Sequence, residues 1–130
     1  MNILYVEDTS GKYMDVCGAL KSSGLGAPVW KKNLEDALFA IDRAKKDGRA
    51  FDVILTDMEY PLSDGGAPKG DAGEQLIEAL RNEGVETPVI VISSVNYRGN
   101  PPAGAKAAIF YRERDSAWQR ELVEAIRGIV

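Results

Sequence analysis

At 130 residues the chain is long enough for one domain with a full hydrophobic core and too short for two ordinary ones. Its composition, 45% apolar and 28% charged, is that of a folded globular protein, and a net charge of −4 points away from direct nucleic-acid binding and toward a protein surface or a cation. Histidine is absent and Cys17 is the single cysteine, which excludes Ser-His-Asp and Cys-His triads, His-ligated zinc, phosphotransfer on histidine and a disulfide framework.

Ile3 to Val6 is a strand that stops at Glu7-Asp8, with no basic segment before it to suggest a signal peptide. Thr9 or Ser10 can cap a helix in which Tyr13, Met14, Cys17 and Leu20 recur at helical spacing until Gly24. Pro28-Val29-Trp30 is a short second strand. Asn33 caps a second helix, with Leu34, Ala37, Leu38, Ile41 and Ala44 as its apolar stripe and Gly48 beyond its end.

Phe51 to Asp57 is a β-branched apolar run ending on a carboxylate, the pattern of a strand buried on both faces. The stretch from Met58 to Ala72, rich in Gly, Pro and Asp, reads as a loop. Leu76, Ile77 and Leu80 mark a third helix closed by Gly84, and Pro88 to Ile92 is a strand ending on Ser93-Ser94. Residues 95 to 104 hold Gly99, Asn100, Pro101, Pro102 and Gly104, which rules out a helix of more than about one turn. Ala107 to Tyr111 is a fifth strand. A capping box of Ser116 and Gln119 then opens a last helix with Trp118, Leu122, Ala125, Ile126 and Ile129 on one face.

Strands alternating with helices predict an α/β fold, a parallel sheet doubly wound with helices on both faces. In such sheets ligands bind at the carboxyl ends of the strands. Three strands end there on polar groups, namely Glu7-Asp8, Asp57 and Ser93, and no Lys or Arg lies within those ends to balance the carboxylates. A hard divalent cation is the natural remedy, and oxygen-only ligands suit Mg²⁺ better than zinc.

Glu7-Asp8, the stretch Asp57-Met58-Glu59-Tyr60-Pro61-Leu62-Ser63-Asp64-Gly65 and Pro88 to Ser93 together resemble the receiver domain of two-component response regulators, of the single-domain chemotaxis type. The likeness covers nearly the whole chain, as one receiver domain over 1–130. It implies a flavodoxin-like five-stranded sheet of order 2-1-3-4-5. It also implies that Asp57 is the phosphoacceptor, loaded from a phosphohistidine on a sensor histidine kinase or phosphotransfer protein. By the same resemblance Mg²⁺ is held by Glu7, Asp8, Asp57 and the main-chain carbonyl of Glu59. Ser93 matches the switch hydroxyl that meets the phosphoryl oxygen. Such a domain is not an enzyme in the ordinary sense, although it assists its own phosphorylation and dephosphorylation. It is cytoplasmic and acts through a downstream protein or output domain.

Four departures from that pattern stand out. The family's lysine after the fifth strand falls on Tyr111, which supplies no positive charge, and the following proline falls on Arg112. Arg112 is the candidate substitute if the strand is bulged by one residue. Ala108 replaces an aromatic switch residue, and the segment between Ser93 and Gly104 is short, so the fourth helix is expected to be short or absent. The loop 66–72 is longer than usual and lies beside the acceptor, as a lid, a partner contact or a tolerated insertion.

These departures support a second reading, a pseudo-receiver that binds partners without phosphorylation; the retained Glu7, Asp8, Asp57 and Ser93 oppose it. Enzyme readings fare worse. A haloacid-dehalogenase-type phosphatase wants Asp where Glu59 stands, Glu7-Asp8 would repel the phosphate of FMN, and Ser10-Gly11-Lys12 lacks the earlier glycine of a P-loop. The chain stops where a receiver's last helix would end, as expected for a stand-alone receiver or the front of a longer regulator.

Overall fold

The computed structural model describes residues 1–129. Val130, the last residue of the predicted domain, lies outside them. In chain order the elements are β1 (Ile3–Val6), α1 (Ser10–Ser22), β2 (Val29–Lys31), α2 (Leu34–Lys46), β3 (Val53–Thr56), β4 (Tyr60–Pro61), β5 (Pro68–Lys69), α3 (Ala72–Asn82), β6 (Val89–Ser93), β7 (Ala107–Phe110) and α4 (Ala117–Arg127). Five of the strands form one parallel sheet in the order β2-β1-β3-β6-β7. With the small β4-β5 pair set aside, this is the predicted order 2-1-3-4-5.

Because side chains alternate across a strand, consecutive residues of the central strands feed two separate cores. Leu4, Val6, Ile54, Val89 and Val91 pack with α2 and α3 on one face. Ile3, Tyr5, Val53, Leu55, Ile90 and Ile92 pack with α1 and α4 on the other. Both faces are covered, so the central strands are buried throughout and carry the continuous apolar runs seen in the sequence.

Helix α2 begins as expected: Asn33 Oδ1 accepts from the Asp36 N–H at 2.8 Å, and Asn33 Nδ2 donates to Asp36 Oδ2 at 2.8 Å. The last helix does not use the predicted capping box. The Ser116 side chain makes no cap bond, and Asp115 Oδ1 instead accepts from the Ala117 N–H at 2.9 Å. In α1 neither Thr9 nor Ser10 forms a side-chain cap, since the Thr9 N–H points back to Glu7 Oε2 at 3.2 Å. Its buried face also differs from expectation. Met14 is 70% exposed, whereas Lys12, Val16, Cys17, Ala19 and Leu20 are buried.

The stretch expected to be a plain loop after β3 holds an antiparallel pair, β4 with β5, in the register Tyr60 to Lys69 and Pro61 to Pro68. Between β6 and β7, among the described residues, there is no helix, as the glycines and prolines require. Gly104 closes that connection at φ +90°, with Arg81 and Ile77 so near that a Cβ there would meet them at 2.7 and 2.6 Å.

Candidate functional site

The carboxyl ends of β1 and β3 bring Glu7, Asp8 and Asp57 together, with carboxylate oxygens all within 4.8 Å of one another. The reason lies in the register. Val6 pairs with Thr56, and the Asp57 N–H donates to the Val6 carbonyl at 3.1 Å, so both chains leave the sheet at the same level. Ser93 reaches the same edge on β6, whose Val91 pairs with Thr56. An open cleft there is bordered by Asp57, Glu59, Gly70, Ser93, Val95 and Tyr97.

Glu7 is fully buried, and burial raises its carboxyl above the usual range, against the pull of Lys12. Tyr5, whose phenol burial keeps protonated, donates to Glu7 Oε1 at 3.0 Å. The Glu7 carbonyl in turn accepts from Trp30 Nε1 at 2.7 Å, tying the acidic pair to β2. Asp8 is less buried, and its carboxyl is also raised, chiefly by desolvation and also by the charge of Asp57. Asp57 keeps 17% of its side chain accessible, and its Oδ1 accepts from the Met58 N–H at 2.8 Å. Thr56 beneath it is fully buried, its Oγ1 donating to the Asp57 carbonyl at 2.6 Å and lying 2.9 Å from the Tyr60 hydroxyl.

The cation that balances this edge comes from a helix. Lys12 Nζ, on the first turn of α1, lies 3.1 Å from Glu7 Oε1 and 3.2 Å from Asp57 Oδ1, and donates to the Ile92 carbonyl at 2.7 Å. Only 7% of its side chain is exposed. The contact to Ile92 is a hydrogen bond, and those to the two carboxylates are ion pairs. A search for charge within the strand ends overlooks this residue. The available signal was that Lys12, Val16 and Leu20 fall at i, i+4 and i+8 on one helix face, which places a lysine on the buried stripe.

The two residues considered for the missing lysine sit elsewhere. Tyr111 is buried, its hydroxyl hydrogen-bonded to Asp15 and its ring packed at 5.0 Å against Trp118. Its phenol is raised by burial and then by the Asp15 carboxylate, so it stays neutral. Lys12 Nζ sits 5.6 Å over the Tyr111 ring. Arg112 turns away: its guanidinium lies 4.8 Å over Phe110, and its Nε is 2.9 Å from Asp115 Oδ2. That N–H is buried yet not aimed for a hydrogen bond, so the contact is an ion pair only. No contact joins Arg112 to Asp57, and the bulge that would have carried it there is not formed, because β7 pairs in continuous register from Ala107 to Phe110.

The Ser93 hydroxyl is buried at the sheet edge and accepts from the Val95 N–H at 3.0 Å, a local turn that holds the start of the following segment. Glu59 is exposed beside Asp57. Gly73, at the start of α3, donates to the Met58 carbonyl at 3.1 Å. A Cβ at Gly73 would stand 2.6 Å from the Asp57 carbonyl oxygen, so α3 approaches the Asp57-Met58 backbone as closely as only glycine allows.

No family model matches the chain. A two-component response regulator of rice, Oryza sativa subsp. japonica, is 28% identical over 94 residues, which is 72% of this chain and 66% of that protein, just under two thirds of its length. Among solved structures, the receiver domain of a Francisella response regulator matches 98% of this chain and 94% of its own at 20% identity, with a TM-score of 0.72. The response regulator TrrA of Thermotoga maritima, solved in complex with Mg²⁺-BeF, matches all of both chains at 20% identity and a TM-score of 0.72. The chemotaxis response regulator CheY4 of Vibrio cholerae matches 96% of this chain and 97% of its own at 18% identity, with a TM-score of 0.68. The chain has the five-stranded fold of response-regulator receiver domains and resembles them in sequence as well.

Proposed function

We propose that this chain is a phosphoaccepting receiver in which Asp57 takes a phosphoryl group from a sensor histidine kinase or a phosphotransfer protein in the cytoplasm. The observation that carries the reading is the convergence of Glu7, Asp8 and Asp57 at one sheet edge, with Glu7 fully buried and the Asp57 side chain 17% accessible to an incoming donor. The resemblance to receivers supports it, as does the solved neighbour whose complex contains Mg²⁺ and a fluoroberyllate.

In the transfer, an Asp57 carboxylate oxygen forms a bond to phosphorus while the bond from phosphorus to the donor imidazole nitrogen breaks; that nitrogen keeps the electron pair and takes up a proton. The carboxylate is already ionised, so no base is required. The backbone N–H of Met58 holds Oδ1 and orients the carboxylate toward the open cleft. Glu7, Asp8, Asp57 and the Glu59 carbonyl would hold Mg²⁺, and three carboxylates facing one ammonium fit a hard cation. When bound, Mg²⁺ supplies positive charge against that developing on the phosphoryl oxygens. Ser93, on the neighbouring strand end, donates its hydroxyl to the new phosphoryl oxygen, and rotation of that side chain toward the phosphoryl group releases the Val95 N–H and alters the segment that leads to β7.

Incubation with Mg²⁺ and acetyl phosphate should add the mass of one phosphoryl group to the intact protein, and Asp57→Asn should abolish the adduct. Absence of any adduct together with absence of Mg²⁺ binding would favour the pseudo-receiver reading.

A further inference from the structure

We propose that Lys12 is the phosphoryl-binding cation of this domain, so that the role left open at Tyr111 is filled from the first turn of α1. This rests on the reading of Asp57 as phosphoacceptor.

The argument is one of position and charge. Lys12 Nζ lies 3.2 Å from the acceptor oxygen Asp57 Oδ1, within reach of any oxygen carried on a phosphorus bound to that carboxylate. Its 2.7 Å bond to the Ile92 carbonyl anchors the ammonium one residue before Ser93, so the charge and the hydroxyl approach the acceptor from the same strand end. Two arginines on the β7 side of this edge are committed elsewhere. Arg112 faces Asp115 and Phe110, and Arg98 lies 5.2 Å over Phe110 with Glu121 at 3.7 Å. Tyr111, which stands at the family's lysine position in the sequence, is buried and flanks the Lys12 ammonium with its ring.

The placement has a consequence that a lysine at the end of β7 would not share. In the metal-free protein Lys12 neutralises two of the carboxylates that the metal needs, Glu7 and Asp57. Mg²⁺ and the ammonium therefore compete before phosphorylation and cooperate after it, when a dianionic phosphoryl group adds negative charge. Phosphorylation moves Lys12 from carboxylate to phosphoryl oxygen while Ile92 keeps hold of it.

The test is a comparison of two affinities in Lys12→Gln, each followed by titration calorimetry. Mg²⁺ alone should bind more tightly than to wild type by roughly tenfold, because a competing cation is gone. Beryllofluoride with saturating Mg²⁺ should bind more weakly by roughly tenfold or more, because a charge-assisted bond is lost. Lys12→Arg should recover part of the second affinity. A residue that merely supports the fold would weaken both, and that result overturns the proposal. If wild type binds neither beryllofluoride nor a phosphoryl group, the phosphoacceptor reading itself fails; if wild type binds them and Lys12→Gln does so equally well, only the assignment of Lys12 fails. Should Lys12→Gln not fold, the ¹⁵N resonance of the Lys12 ammonium in wild type provides the same decision. It should shift when beryllofluoride is added to the Mg²⁺-saturated protein, and an unmoved resonance overturns the assignment.

Discussion

The two halves of the sheet edge are built on different principles. Around β1 and β3 the groups are largely buried and each has several partners: Glu7 is held by the Tyr5 hydroxyl, the Thr9 N–H and the Lys12 ammonium, and Lys12 by the Ile92 carbonyl and two carboxylates. Around Phe110 and residues 94–104 the charged contacts lie at the surface, with Arg98 and Arg112 laid over Phe110 and ion pairs to Glu121 and Asp115. The first arrangement resists change because breaking any one bond leaves a buried polar group unsatisfied. The second is cheap to rearrange, since exposed ion pairs are worth about 0–1 kcal/mol. The proposed receiver role, with a reactive constellation held at one side and an altered surface presented at the other, is matched by this division of stiffness.

The comparison can be broken most severely at Glu7. Glu7→Gln removes one carboxylate from the cation site, and Mg²⁺ affinity should fall by roughly tenfold or more, as loss of even an outer partner of a metal ligand costs that much. Stability in urea denaturation should hold or rise slightly, because burial and the Asp57 charge disfavour the ionised Glu7 carboxylate in the fold and Lys12 keeps Asp57 and the Ile92 carbonyl. A variant with unchanged Mg²⁺ affinity would show that the buried carboxylate is structural only.

Gly73→Ala tests whether the acceptor segment is as rigid as its packing implies. The added methyl must displace the backbone of Asp57 and Met58, so a stability loss of about 1–3 kcal/mol is expected, with slower phosphorylation from acetyl phosphate at unchanged stoichiometry. An unaffected rate would mean that Asp57 tolerates movement of its own main chain.

The smallest effect belongs to the other half. Arg112→Ala should leave the phosphorylation rate unchanged and cost at most ~1 kcal/mol, because its partner is exposed Asp115. A lowered rate would return Arg112 to the role of missing cation. Asp115 also sets a pH dependence. Its carboxyl is held below the ordinary value first by the N–H of Ala117 and also by Arg112. A depressed folded-state pKa means stabilisation that is complete above the ordinary carboxylate range and lost as pH falls through the lower folded value. The slope of stability against pH just below that ordinary range should flatten slightly in Arg112→Ala and more in Asp115→Asn.

Much of this molecule was legible from local pattern. Continuous apolar runs ending at Glu7, Asp57 and Ser93 are what two-sided burial demands of a strand, and helical stripes with glycine stops marked the crossovers. The run of Gly and Pro at residues 99–104 was enough to remove a helix, because backbone chemistry forbids it whatever the surroundings. The hairpin of Tyr60–Pro61 with Pro68–Lys69 escaped notice because two-residue strands bounded by prolines carry no period. The cap at Asp115 was missed because Ser116 and Gln119 matched a motif that the chain's actual entry angle does not use.

By itself the sequence determined the order of elements, the parallel sheet and the three strand ends on which the carboxylates and the hydroxyl stand, since alternation and burial act over a few residues at a time. Only the tertiary structure decided where the balancing charge comes from. Lys12 meets Asp57 and the Ile92 carbonyl across 45 and 80 positions of chain, and Tyr111 is turned to Asp15 across 96. Those meetings depend on how α1 lies against β1, β3 and β6, a geometry set by the packing of Val16 and Leu20 into a shared core rather than by any local pattern around Lys12.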